Sequence, residues 1–213
     1  MAGRPQPGTC KGRVAYRAGE SLAVGLVFRR WDAAQERGVS TRLLPATPTR
    51  VRSDVSDEYR HRIVVSGSRT WGIVSPDPLL GSSKLVAAVE NAVAHAALNH
   101  MLEVHGQDMV IAHGGARGLD RFANRWAEAR HIDTEVHALT PEDWKRTGKA
   151  AGPFRNAQMI AHRTEVVLAF WGRSSKDPTR LSEGTGGMIK MAQKRGIPVI
   201  VLRSPWVDLE TLT

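Results

Sequence analysis

Four short stretches combine glycine, arginine and hydroxyl side chains in the way that binding of an anion requires: Gly67-Ser68-Arg69, His113 to Gly118, Trp144 to Asn156, and Glu183 to Gly187. The most suggestive is Gly184-Thr185-Gly186-Gly187, which opens a predicted helix. Glycine lets a ligand approach the main chain closely, and a helix start points free N–H groups outward, toward negative charge. On this reading Gly184, Thr185 and Gly186 cradle a phosphate, with the Thr185 hydroxyl as an extra donor. The competing reading is that these glycines only permit tight packing. Gly114-Gly115-Ala116-Arg117-Gly118 has the same strand–turn–helix placement. It lacks the G-x-G-x-x-G spacing of a dinucleotide fingerprint, and no acidic residue ends the next strand. Each helix dipole is worth about 0.3–2 kcal/mol to a bound anion. An arginine–phosphate contact adds about 1.5–3 kcal/mol.

Single residues sharpen this pattern. Arg69 directly follows a predicted strand, so it faces either the ligand edge or a surface salt bridge. Asp120 lies in the first turn of its helix, where a carboxylate satisfies free N–H groups. Arg155-Asn156 falls at an expected helix start and could contact an anion. Trp71 and Trp144 lie in expected loops, and each could stack on a base or form a lid over the core. His113, beside the glycines, is the histidine to watch. The eight histidines show no H-x-x-x-H or Cys/His spacing, so no metal site is expected. Neither a Walker A sequence nor a nucleophile elbow is present.

These loops need a scaffold. Ile63-Val64-Val65 reads as a buried strand. Ser82 or Ser83 can cap a helix running to about Val104, with Leu85, Val89, Val93, Ala96 and His100 marking one face and Gly106 stopping it. Met109 to Ala112 is a second strand, followed by a helix to about Arg130. Thr134 to Leu139 alternates like a third strand and leads into a polar loop. A short helix is expected from about Arg155 to His162. Glu165 to Phe170 is a fourth strand. A loop over residues 172–184, a helix over Thr185 to Arg195 and a fifth strand over Ile197 to Leu202 complete the series. Apolar strands alternating with helices imply an α/β Rossmann-like three-layer sandwich around a mainly parallel sheet of about five strands. Ligands of such sheets bind outside the carboxyl ends of the strands, which would gather the four stretches.

Composition sets the outer limits. The 213 residues are 41% hydrophobic and 24% charged, with a net charge of +9. Residues 1–60 carry 11 Lys and Arg against 6 Asp and Glu, the remainder 19 against 15. This basic segment reads as an extension with one amphipathic helix over Ser21 to Arg37 and a Pro-rich linker. It could make weak nucleic-acid contacts or be a solvated tail. Residues 61–213 form the expected domain. The lone Cys10 allows no intrachain disulfide. The longest apolar runs are too short to span a bilayer, and the first twenty residues lack a signal-type apolar segment, so a cytoplasmic location without membrane contact is expected.

In order along the chain, Val64 to Arg69, His113 to Asp120, Trp144 with Gly148 and Ala151-Gly152, Arg155-Asn156 with Met159, and Gly184-Thr185 with Met188-Ile189 resemble the SLOG superfamily, most closely its YspA-like, cpYpsA-related branch. The resemblance covers about residues 62–202. It implies a Rossmann-like fold that binds or senses a nucleotide or nucleotide-derived ligand, ADP-ribose-like ligands included, with no required cofactor; many relatives occur in bacteria and phages. Two more distant likenesses give competing readings. Lonely Guy-type phosphoribohydrolases cleave an N-glycosidic bond with a P-G-G-x-G-T-x-x-E loop. Here Met188 stands at the catalytic glutamate's position and cannot transfer protons, leaving nearby Glu183 as the candidate substitute. DNA-processing protein A binds single-stranded DNA and shares similar Gly-Ser-Arg, Gly-x-Ala-Arg-Gly-x-Asp and Phe-x-Arg-Asn-like stretches. The ligand-binding set expected from residues and resemblance together is Gly67, Ser68, Arg69, His113, Gly114, Gly115, Arg117, Gly118, Asp120, Trp144, Arg155, Asn156, Gly184, Thr185 and Gly186. Self-association is left open.

Overall fold

A computed structural model describes residues 60–161 and 163–205. The expected amphipathic helix, the linker and the nucleic-acid contact surface lie outside the described residues. Five parallel strands form one sheet: β1 (His61–Gly67), β2 (Met109–His113), β3 (Asp133–Val136), β4 (Val166–Trp171) and β5 (Val199–Arg203). Their order is β3-β2-β1-β4-β5. The central strand β1 pairs with β2 through His61–Val64 and with β4 through Ile63–Gly67. Its Ile63, Val64 and Val65 are fully buried, as a strand covered on both faces requires.

Two helical layers provide that cover. Helices α1 (Lys84–His105) and α2 (Leu119–Glu128) enclose one core that includes Ile63, Val65, Leu98, Met101, Ile111 and Phe170. On the other face, α4 (Ala151–Met159) and α5 (Glu183–Lys194) close a second core around Val64, Ala112, Met159, Val167 and Met188. A short α3 (Pro141–Thr147) follows β3. After β3 the chain crosses to the other side of β1 to form β4. The strand order therefore reverses between β1 and β4, the topological switch point where such sheets open a crevice.

Three sequence expectations are corrected. The buried face of α1 consists of Ala87, Glu90, Ala94, Ala97, Leu98 and Met101; Leu85 and Val89 are exposed, Leu85 by 76%. Val93 and Ala96 of the expected face do pack against the core, so the buried stripe is rotated toward Ala87, Ala94 and Leu98 and leaves Leu85 and Val89 outside it. The expected polar loop after β3 contains α3, started by a capping box in which Thr140 and Asp143 satisfy each other's backbone N–H groups. Helix α4 begins at Ala151, not near Arg155. Pro153 sits in its first turn, where a missing N–H breaks no intrahelical bond. The strand ends also shift: β3 stops at Val136 and β5 begins at Val199. Ser83 caps α1 as expected, its side chain accepting from the Val86 N–H. Gly106 ends the helix at φ 65°, a conformation suited to glycine. Among the described residues no helix is long and apolar enough to cross a membrane.

Candidate functional site at the carboxyl edge of the sheet

The chain leaves β1 through Gly67-Ser68-Arg69. Ser68 is fully buried, and its hydroxyl accepts the Gly172 N–H at 2.8 Å. That contact ties the exit of β1 to the exit of β4 at the switch point. A Cβ on Gly67 would lie 2.2 Å from the Leu119 side chain, so glycine lets the start of α2 pack against this turn. Trp71 folds inward. Only 1% exposed, it meets Phe170 edge-on at 5.3 Å and donates its indole N–H to the Glu90 carbonyl at 3.0 Å. It belongs to the core and is not available to cover a base.

The Glu90 carboxylate organises this edge from below. It accepts the Gly72 N–H at 2.7 Å and the Ser82 and Ser204 hydroxyls at 3.3 and 2.6 Å. Burial raises its pKa above the ordinary carboxylate value, opposed by these donors, of which Ser204 is the strongest. Sequence inspection gives no sign of this role, because the partners are up to 114 residues away and meet only in the fold.

The second loop packs directly against the first. Gly118 has φ +79°, and a Cβ there would lie 2.6 Å from the Ser68 carbonyl oxygen and 2.7 Å from the Arg69 backbone. His113, nearly fully buried, accepts the Gly115 N–H on Nδ1 at 3.1 Å. Its Nε2 is therefore the protonated nitrogen and donates to Asn124 Oδ1 at 3.2 Å. Asp120, also buried, accepts the Ala116 N–H at 3.1 Å. Its carboxylate thus braces the glycine loop; the expectation that it satisfies the helix's own N–H groups is corrected.

Arg155 and Asn156 connect the remaining stretches. Arg155 donates through Nη1 to the Gly114 carbonyl at 2.8 Å, and a Cβ on Gly114 would sit 1.6 Å from that nitrogen. Glycine at 114 is what leaves room for the guanidinium. Arg155 Nε donates to Asn156 Oδ1 at 3.1 Å, and Asn156 Nδ2 to the Gly184 carbonyl at 3.2 Å. Contacts thus run from Ser68 and Arg69 through Gly118, Gly114, Arg155 and Asn156 to Gly184. The four stretches share one rim.

Its electrostatics are lopsided. Burial pulls the Arg155 pKa below the ordinary guanidinium value; Asp120 opposes the shift and the nearby Arg69 adds to it. Burial raises the Asp120 pKa, opposed by the Ala116 N–H and then by Arg155 and His113. Two guanidiniums and one carboxyl occupy the same neighbourhood, leaving a surplus of positive charge. Beside Arg155, between the β3–α3 turn and α4, opens a cleft of about 170 Å³ lined by Leu139, Asp143, Thr147, Phe154, Arg155 and Gln158 among others.

Other expected site residues point elsewhere. Trp144 is on α3, 42% exposed, and does not line the cleft; Phe154 lines it instead and is 58% exposed. Arg117 donates to the Leu79 carbonyl at 3.1 Å. Thr185 is buried and donates its hydroxyl to Ser182 at 3.3 Å, so it orders the start of α5 and offers no outward donor. Gly186 packs against Trp171, whose ring would lie 3.2 Å from a Cβ added there, while Gly184 and Gly187 are exposed. Met188 is fully buried in the second core. Glu183 is exposed and forms a 3.8 Å ion pair with Arg180. Neither residue supplies a buried acid at this rim.

The strand order, the switch-point crevice and the glycine-lined rim define a Rossmann-like α/β protein. The chain belongs to the YspA, cpYpsA-related SLOG family, whose family model matches residues 61–146. The Gene 61 protein of Mycobacterium phage D29 is similar, 35% identical over 146 residues that make up 65% of this chain and 94% of the phage protein. No solved structure matches the chain. Family membership is consistent with a nucleotide-related function.

Proposed function

We propose that the protein binds a nucleotide or nucleotide-derived ligand at the carboxyl edge of its sheet, with phosphate at the rim. The supporting observation is the position of Arg155, which is anchored on Gly114, close enough to Arg69 and Asp120 to feel both charges, and part of the cleft wall. Arg69 and Arg155 supply the positive charge for phosphate, and exposed Gly184 in the first turn of α5 offers main chain that an anion can approach. The cleft beside Arg155 accepts the rest of the ligand, with Phe154 as the aromatic surface for a base. Phosphate is the largest source of affinity, since charge-assisted hydrogen bonds are the strongest available here.

A thermal-shift screen with AMP, ADP-ribose, NAD and cyclic nucleotides tests this reading. Phosphorylated ligands are expected to raise the unfolding midpoint through preferential binding to the native state, and the parent nucleosides to do so much less. No shift with any of them at millimolar concentration would contradict the proposal.

A further inference from the structure

The opposite edge of the sheet carries a different constellation. His61 opens β1, His105 is the last residue of α1, and Glu165 immediately precedes β4. The Glu165 N–H donates to the Arg62 carbonyl at 3.0 Å, which holds Glu165 alongside the start of β1. Helix α1 runs back from the carboxyl edge and delivers His105 to the same place. One ligating atom from each of the three side chains lies within 4.8 Å of the other two. Glu165 bridges the imidazoles, with Oε2 2.5 Å from His61 Nδ1 and Oε1 3.6 Å from His105 Nδ1. The ring centroids are 4.7 Å apart.

From this geometry we infer a transition-metal site of the Zn²⁺ class, formed by His61, His105 and Glu165. Tetrahedral bonds of about 2.0–2.2 Å put neighbouring donor atoms roughly 3.3 Å apart, and the observed separations fall on both sides of that value. Two imidazoles and one carboxylate favour Zn²⁺ and its neighbours over Mg²⁺ or Ca²⁺, which prefer all-oxygen shells.

The protein environment supports metal binding further. The His105 side chain is only 4% exposed and turns Nδ1 toward Glu165. His61 is 40% exposed and leaves the site open to solvent. Three protein ligands leave a fourth position for water. Since β1 is 7 residues long, its two ends lie roughly 20 Å apart at about 3.3 Å per residue. The ion would therefore sit far from the phosphate rim, clamping β1, α1 and β4 together. No short spacing marks these ligands, because they are 44 and 60 residues apart along the chain.

Titration of the metal-stripped full chain with Co²⁺, followed by visible d–d absorption and displacement by Zn²⁺, tests this inference. One equivalent is expected to bind with the intense bands of a four-coordinate ion, and Zn²⁺ to raise the thermal midpoint. His61→Gln and Glu165→Gln, both at partly exposed positions, are each expected to weaken binding at least tenfold while unfolding cooperatively without metal. Cys10→Ser is expected to leave binding unchanged. No stoichiometric uptake, or uptake undiminished in both His61→Gln and Glu165→Gln, would overturn the site. If one of these variants fails to unfold cooperatively, the other decides the outcome.

Discussion

The two edges of this sheet handle charge in opposite ways. At the amino edge the cations are answered: Arg60 pairs with Asp133, and Arg62 reaches Glu135 at 2.6 Å while also donating to the Met159 carbonyl and the Thr164 hydroxyl. At the carboxyl edge Arg69 and Arg155 share the neighbourhood of a single carboxylate, Asp120, whose pKa burial raises. Balanced pairs of the first kind hold elements together. A positive surplus lined by glycine is costly in isolation and is relieved by an anion. The pattern agrees with the general location of ligand sites in open parallel sheets.

The contrast can be broken from below by removing the carboxylate that organises the carboxyl edge. Glu90→Leu strands the Gly72 N–H and two serine hydroxyls, and a loss of roughly 3 kcal/mol or more is expected from the unsatisfied buried donors. Glu90→Gln keeps an acceptor and should cost clearly less. Urea unfolding of both variants measures the difference.

Arg155→Gln removes the guanidinium that joins Gly114 to the cleft. AMP affinity is expected to fall on the order of 10- to 100-fold, the equivalent of one charge-assisted hydrogen bond, as read by calorimetry. The matching change at the amino edge, Arg60→Gln, should leave AMP affinity unaltered. Gly114→Ala acts on the same contact more gently. Its new Cβ would lie 1.6 Å from Arg155 Nη1, so the guanidinium must move aside, and AMP affinity should drop by about tenfold or less. Circular dichroism should show the fold retained.

The smallest expected effect is in pH dependence, where the two regions differ in sign. Glu135 is held below the ordinary carboxylate pKa, first by its hydrogen bond from Arg62. Its contribution to stability is present above that ordinary value and is lost as pH falls through the folded-state pKa. Asp120 and Glu90 are raised by burial. For them the unfolded chain releases protons first, so stability declines as pH climbs from the ordinary carboxylate value through the folded-state pKa. Asp120→Asn should remove its share of that decline, and Glu135→Gln should flatten the acid side. Unfolding midpoints across the acidic to neutral range measure both slopes.

Much of this arrangement is readable from sequence. Apolar runs mark β1, β2 and β4, and Ser83 and Gly106 bracket α1, because those signals are local. The four anion-type stretches can be placed at one edge once the sheet is known to be parallel. What escapes is set by tertiary contact. Trp71 resembles a loop aromatic until Phe170 and Glu90 enclose it. Glu90 looks like a surface residue of an amphipathic helix until Gly72, Ser82 and Ser204 surround it. Helix α3 is a different case: the Thr140-Pro141-Glu142-Asp143 capping signal is visible in the chain, but Gly148 and Gly152 just beyond it obscure the short helix. Pro153 similarly obscures the start of α4, although a proline in a first turn is compatible with a helix.

We propose that the unbalanced charge at the carboxyl rim holds phosphate, and calorimetric titration of AMP against adenosine measures this most directly. AMP should bind at least tenfold more tightly than adenosine, and the difference should collapse in Arg69→Gln. Equal affinities for the two ligands, or a difference unchanged by Arg69→Gln and Arg155→Gln alike, would contradict the account.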